Sequence, residues 1–335
     1  MPLIITKKPI TTLPVQGFFC MWNQQQTDAS MLSIMEKWSV KRAVKKLENG
    51  RDFAKTGAYH FSAKYIVHIK EPKNTGSGDR KQPVTALFSQ CLKYAHDQLM
   101  DSIALPLWSS AFADLSAIEV YQTAVATIRS FLERSNITVY LCIKSERVIE
   151  LDESLVDEIS EKVKSSSHTS LPTFRGTIIP KPKGKNVKES ADDVQYCIPD
   201  NARYLIYDPD YSEIALLIRR MSKQTFSDVL LQLIDVKGVT AADCYKKANI
   251  ERSLFSKIKS NPYYRPSKTT VVAFALALEL SMAETELLLK KAGYSFSDAI
   301  PFDIIIRFSI ENKIYDIYKV NDILFAYGQP ILGSK

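Results

Sequence analysis

The sequence predicts an α/β region followed by an all-α region, and three observations carry that expectation. Short apolar segments, mostly rich in β-branched and aromatic residues, alternate with amphipathic helical stretches over residues 1–164. Over residues 165–201 the periodicity fails among serines, lysines and Pro172, Pro180, Pro182 and Pro199. Beyond that stretch, helix caps and three- and four-residue apolar spacing recur almost to the end. Alternation of this kind predicts a sheet covered by helices. A Pro- and Ser-rich stretch with little apolar content reads as a linker. The expected divisions are 1–164, 165–201 and 202–335.

Within the first region, the strand-like segments are 3–6, 15–20, 65–70, 103–107 and 138–143. Between them, Met31, Ile34, Met35, Trp38, Ala43, Val44 and Leu47 recur at helical spacing, as do Ala86, Leu87, Cys91, Tyr94, Ala95 and Leu99. A third helix is expected over 117–133, with Ser116 as its cap and Glu119 completing a capping box.

With 335 residues and 45% hydrophobic content, each region can bury a core, which excludes a wholly disordered chain. No apolar run reaches the roughly 18 residues of a membrane span. The opening residues Met1 to Lys8 lack the basic, apolar, small-residue order of a secretory signal. A cytoplasmic protein without a membrane partner is therefore expected. Cys20, Cys91, Cys142, Cys197 and Cys244 are odd in number and scattered, with no CxxC pair and only four histidines, so neither a metal site nor a disulfide framework is expected.

The net charge of +7 is modest, and its placement says more than its size. Over 240–268, Lys246, Lys247, Arg252, Lys257, Lys259, Arg265 and Lys268 face only Asp243 and Glu251, a local excess of five. This stretch lies inside a series of five expected helices, 226–236, 240–248, 251–259, 268–280 and 282–292. Thr225 and Thr240 act as N-caps, Gly238 and Gly293 as stops, and Asn249 as a tight turn. Two helices joined by so short a turn, with Val239, Cys244, Ala248, Ile250, Phe255 and Ile258 facing inward, form a helix-turn-helix over 239–260.

Across roughly seventy residues this module resembles the lambda-repressor-like (Cro/C1-type) helix-turn-helix family. Glycine is usual in that family's left-handed turn, and asparagine tolerates the same conformation. The resemblance implies that the second helix enters the major groove. Glu251, Arg252, Ser253, Ser256 and Lys257 would then face outward, with Thr240, Lys246 and Lys247 nearer the backbone. Tyr245 departs from the family, which has a small residue there. DNA or RNA contact and protein docking both stay open. The apolar extension over 301–332 is read as closing the core or forming a dimer face.

The first region resembles the macro domain, the ADP-ribose-binding three-layer α/β/α module. The resemblance rests on the segment Gly57 to His68 (GAYHFSAKYIVH), on Ser102-Ile103-Ala104-Leu105-Pro106-Leu107 and on the segment Ala126 to Glu133 (ATIRSFLE). The order of macro-like region, linker and helix-turn-helix also resembles a group of bacterial macro-domain proteins. In that family two glycine-containing loops cradle the pyrophosphate and an aspartate reads adenine.

Several of those features are altered here. The family's Asp-Ile-Thr matches Pro9-Ile10-Thr11, without the carboxylate. Its Val-Asn-Ala-Ala-Asn matches Phe19-Cys20-Met21-Trp22-Asn23, followed by three glutamines instead of glycines. Its second loop, Ser-Thr-Gly-x-x-Gly-x-Pro, matches the segment Ser109 to Ser116 (SSAFADLS), which lacks both glycines and the proline. Asp114 also brings negative charge toward the expected diphosphate position.

The resemblance thus implies one of three roles: a non-catalytic binding or regulatory module, a binder of ADP-ribose or a related nucleotide, or an ADP-ribosyl hydrolase. Ligand contacts would come from Asn23, Ser109, Ser110, Ala111 and Phe112. A hydrolase would use Asn23 to orient ribose and Asp28 to activate water. No resident cofactor is expected. His60, His68 and His96 read as structural, and Gly57 and Gly76-Ser77-Gly78 as turns without the following lysine of a phosphate loop.

Overall fold

The computed structural model describes residues 2–21, 34, 37–70, 79–166, 174–179 and 225–333. Six strands form one sheet: β1 (Leu3–Thr6), β2 (Gly17–Met21), β3 (Phe53–Gly57), β4 (Tyr65–Ile69), β5 (Ser102–Pro106) and β6 (Thr138–Cys142). Their order is β1-β6-β5-β2-β4-β3, parallel throughout except that β3 runs antiparallel to β4. The inner strands are nearly continuous apolar runs because both sheet faces are covered. Phe18, Ile66 and Ala104 face one side. Phe19, Val67, Ile103, Leu105, Val139 and Leu141 face the other.

Helix α1 (Trp38–Glu48) packs on the first face, with Val40, Ala43 and Leu47 buried. Helices α2 (Gln82–Asp97), α3 (Ala117–Leu132) and α4 (Glu153–Ser166) join the core of the second face. The expected capping box of α3 is present: Ser116 Oγ accepts from the Glu119 amide, and Glu119 Oε2 accepts from the Ser116 amide. Strand β3 was not anticipated. It is an edge strand whose Lys55 and Gly57 are exposed, so its apolar signal is short.

The expected linker contains ordered structure. Strand β8 (Thr177–Ile179) pairs in parallel with β7 (Glu150–Asp152). The Phe174 ring lies 5.4 Å from Tyr327, and the Arg175 amide donates to the Ala326 carbonyl at 2.9 Å. Phe174, Ile178 and Ile179 sit among prolines and lysines, too sparsely to show a period in sequence.

Seven helices follow among the described residues: α5 (Phe226–Val236), α6 (Ala241–Lys247), α7 (Arg252–Ser260), α8 (Lys268–Ala277), α9 (Met282–Lys291), α10 (Pro301–Glu311) and α11 (Ile317–Ala326). Hydroxyl caps start several of them, including Thr225, Thr240, Ser267 and Ser281. Helices α10 and α11 pack against the α/β region, and one apolar core runs from Leu3 to Leu332. Phe302, Ile305, Ile306, Phe308, Ile323 and Leu324 are buried within the chain, so this extension closes the core. Polar contacts flank it: Tyr121 Oη donates to Asp322 at 2.6 Å, Arg129 pairs with Asp316 at 2.8 Å, and Tyr327 Oη donates to the Val156 carbonyl at 3.1 Å. Among the described residues no helix is long and apolar enough to cross a membrane.

Candidate functional site

In open α/β sheets, ligands bind in the crevice beyond the carboxyl ends of the parallel strands. Asn23 and Asp28, which follow β2, lie outside the described residues. The loop leaving β5 is fully described.

The loop after β5 starts at Trp108, whose φ of 41° is left-handed. A large side chain adopts that conformation only when its surroundings hold it there. Here the holding comes from burial. The indole is 8% exposed, and its ring lies 5.5 Å from Phe88. A single 3-10 turn follows over Ser109–Ala111, and Phe112 and Leu115 then also enter the core.

The amides of this loop are largely committed to the loop itself. Ala111 N donates to the Trp108 carbonyl at 2.9 Å, Phe112 N to that of Ser109 at 3.4 Å, and Leu115 N to that of Phe112 at 3.1 Å. Of the four expected contact residues in this loop, Ser110 is exposed, Ser109 and Ala111 are half-buried, and Phe112 is turned inward. Asp114 is exposed, with its carbonyl accepting from Arg80. The Pro9-Ile10-Thr11 stretch forms a 3-10 turn that carries no acid.

His68 is fully buried in β4, where its Nε2 bonds Thr56 Oγ1 at 2.9 Å. Burial pushes its pKa down to about 4, so the ring is neutral near pH 7. His60 and His96 are exposed and lie against Phe61 and Phe131. Among the described residues no group of three or more His, Cys, Asp or Glu side chains is placed to hold a metal.

A second candidate surface lies in the helical region. Asn249, between α6 and α7, has a φ of 54°, the left-handed conformation the turn requires. Its side chain does more than permit the turn. Asn249 Nδ2 donates to the Leu3 carbonyl at 2.9 Å, and the Leu3 amide donates to Asn249 Oδ1 at 2.8 Å, both buried. The carboxamide thus pairs polar groups on edge strand β1 much as another strand would.

The flanking residues also face the α/β region. Glu251 Oε1 accepts from Thr138 Oγ1 at 3.3 Å, and Lys246 Nζ donates to the Glu133 carbonyl at 2.6 Å. Expected to face outward, Glu251 is instead half-buried against β6.

The rest of the expected contact set is exposed: Thr240, Lys247, Arg252, Ser253, Ser256 and Lys257, with Leu254, Phe255 and Ile258 buried beneath. Tyr245, the bulky departure on α6, is accommodated by Phe255, ring centroids 5.6 Å apart. The basic excess seen in sequence is partly consumed within the fold. Lys268 pairs with the fully buried Asp303 at 2.6 Å, and Lys247 approaches Glu279 at 4.0 Å. The contact of Asn249 with Leu3 was missed because two residues 246 positions apart leave no periodic trace.

Residues 38–124 match the family model of the Macro domain. No curated protein matches the chain significantly. Among solved structures, the chain is similar to the macro domain of ganglioside induced differentiation associated protein 2, at 20% identity over 42% of this chain and 77% of that one, with a TM-score of 0.35. It is similar to the Oceanobacillus iheyensis macrodomain with ADP at 16% identity, over 43% and 84%, with a TM-score of 0.36. For the macrodomain of Thermus aquaticus DarG the values are 18% identity, 42% and 97%, and a TM-score of 0.32. The family match runs from α1 into α3 across β3, β4 and β5, and the α/β region of this chain is macro-like.

Proposed function

We propose that this macro domain is a non-catalytic binding or regulatory module whose nucleotide cleft is closed by its own second loop. The observation that carries this reading is the loop's commitment to the core: Trp108 just before the stretch that resembles the family's diphosphate loop, and Phe112 within it, are buried. Three amides of that loop bond within it, and amides so used are withdrawn from an anion. Membership in a family that binds ADP-ribose supports the alternative, a nucleotide-binding or hydrolytic domain with an atypical site. Calorimetry on the full chain separates the two. The cleft should bind ADP-ribose no tighter than about millimolar, or about 4 kcal/mol. Micromolar affinity would refute the proposal.

A second reading concerns the helical region, proposed as a helix-turn-helix that contacts nucleic acid. The exposed row Thr240, Arg252, Ser253, Ser256 and Lys257, set over the buried Leu254, Phe255 and Ile258, supports it. The turn and Glu251 dock on the macro domain, while this row stays open to solvent. A single core joins the two regions, so the full chain is the species to test.

A further inference from the structure

A cavity of about 400 Å³ lies where the α/β region meets the helical region, a size and a place typical of small-ligand sites. Strand β7 and helix α4 line one side of it, and the end of α10, the loop after it and α11 line the other. None of its residues comes from the loop after β5, which sets it apart from the nucleotide cleft. Leu155, Phe308 and Ile314 make part of the lining apolar. Glu150, Asp152, Glu158 and Asp322 bring four carboxylates to it, against the ammonium of Lys319.

Around the cavity, carboxylates are matched by cations: Asp316 by Arg129, Glu311 by Lys162, and Glu146 by Lys7 and Arg175. Among the described residues none of the four in the lining is joined in an ion pair. The donors that reach them are neutral. Gln122 Nε2 donates to Glu150 at 3.2 Å, and the Ser154 amide and hydroxyl donate to Asp152 at 3.2 and 3.1 Å. Tyr121 Oη donates to Asp322 Oδ1, and no donor among the described residues reaches Asp322 Oδ2. Burial raises the Asp322 carboxyl to about 6, so it is largely ionised at pH 7 and its charge is poorly solvated. The field of Asp316 raises it further and that of Arg129 lowers it, so the pair those two form leaves Asp322 without a counterion. Lys162 on α4 is already engaged by Glu311 and by the Phe308 ring, 5.4 Å away.

A compact divalent ion does not suit this lining, because among the described residues no three acidic side chains are grouped closely enough to hold a metal. Carboxylates spread around an apolar patch suit a cation that is itself extended, with charges separated by methylenes. We propose that this cavity binds an aliphatic polyamine, with Asp322 and Glu158 each receiving an ammonium group and the methylene chain lying on Leu155, Phe308 and Ile314. Because the lining comes from both regions, a bound polyamine ties α10 and α11 to β7 and α4.

Calorimetry of the full chain with spermidine at low salt tests this. The parent should bind with a Kd on the order of 100 μM, and its thermal midpoint should rise by about 3 °C at ten times that concentration. Asp322→Asn keeps an acceptor for Tyr121 and removes the charge. It should weaken spermidine about tenfold, while its own midpoint at pH 7 holds or rises, which separates lost binding from lost folding. Glu158 is exposed on α4, so Glu158→Gln does not threaten the fold; it should weaken spermidine about fivefold. Glu311→Gln, at a carboxylate already paired with Lys162, should bind as the parent does. A parent that gives no heat at millimolar spermidine overturns the proposal, as does an equal loss in Glu311→Gln. Displacement of spermidine by Mg²⁺ at equal ionic charge also overturns it, since that marks a diffuse counterion atmosphere. So does a tetralysine peptide that binds more tightly than spermidine and loses the same affinity in Asp322→Asn, which would make the occupant a basic peptide.

Discussion

Of the six non-glycine residues in the left-handed region among the described residues, Trp108 at φ 41° and Asn249 at φ 54° use that conformation in opposite directions. Trp108 folds its ring back into the domain that contains it, filling space next to Phe88. Asn249 reaches across 246 positions of sequence to pair the backbone of Leu3. Strain is therefore compensated locally by apolar burial in one turn and remotely by buried hydrogen bonds in the other. The lesson is that a turn's residue choice can report on a partner far away in the chain, and that glycine's absence is informative in both turns for different reasons.

The largest effect expected from this comparison comes from substituting alanine at each turn. Asn249→Ala leaves the amide and carbonyl of Leu3 unpaired and keeps the left-handed strain, a loss of about 4 kcal/mol. Asn249→Gly should recover only the strain, about 1 kcal/mol. Trp108→Ala empties a buried indole site at a cost of about 3 kcal/mol, and Trp108→Gly should again recover about 1 kcal/mol. Urea unfolding of the four variants checks these values. The comparison breaks if glycine restores parental stability at 249, because the carboxamide would then be idle.

A smaller effect separates the macro domain from its joint with the helical region by pH. Burial raises Asp322, at the joint, from 3.8 to about 6, against the hydrogen bond from Tyr121. The folded state then binds the proton more tightly, so stability is full below about pH 4 and falls as pH rises through 6. His68, inside the macro domain, is lowered from 6.5 to about 4 by burial. For it the unfolded state binds the proton more tightly, so stability is full above pH 6.5 and falls as pH drops to 4. Between pH 4 and 6 the two slopes oppose and the parent protein should be nearly flat. Asp322→Asn should uncover the His68 slope, losing about 3 kcal/mol from pH 7 to pH 4. Denaturation midpoints at several pH values check this, and a variant as flat as the parent would mean the two groups are not offsetting one another.

Much of this architecture is legible before any coordinates. Five of the six strands of the main sheet stand out because inner parallel strands are apolar on both faces, while β3 does not because half of it is exposed edge. The helices of the second region announce themselves through hydroxyl caps, and Asn249 through the turn it must make. What stays hidden is relational. The missing glycines at Ala111 and Asp114 can be read from sequence, but only the fold shows that Phe112 between them is buried in the core. The basic run over 240–268 reads as one surface, yet the fold assigns Lys268 to a buried carboxylate and Lys246 to a backbone carbonyl.

The finest test of the contrast between inward and outward use sets two of those lysines against each other. Lys246 and Lys257 stand eleven positions apart in one basic run, and sequence places both near phosphate. In the structure Lys246 is half-buried and donates to the Glu133 carbonyl at the end of α3, whereas Lys257 is exposed on α7. A lysine already holding a carbonyl has one donor fewer for phosphate and would have to break that bond to swing away. Lys246→Ala should therefore leave duplex affinity and its salt slope unchanged while costing up to about 1 kcal/mol of stability through the lost bond. Lys257→Ala should do the reverse, flattening the salt slope by about one unit with no change in stability. Anisotropy titrations over a salt series, paired with urea unfolding of the same two variants, give both readouts. Equal slopes in the two variants would mean that Lys246 leaves Glu133 when duplex arrives, and that the joint between the two regions opens as part of binding.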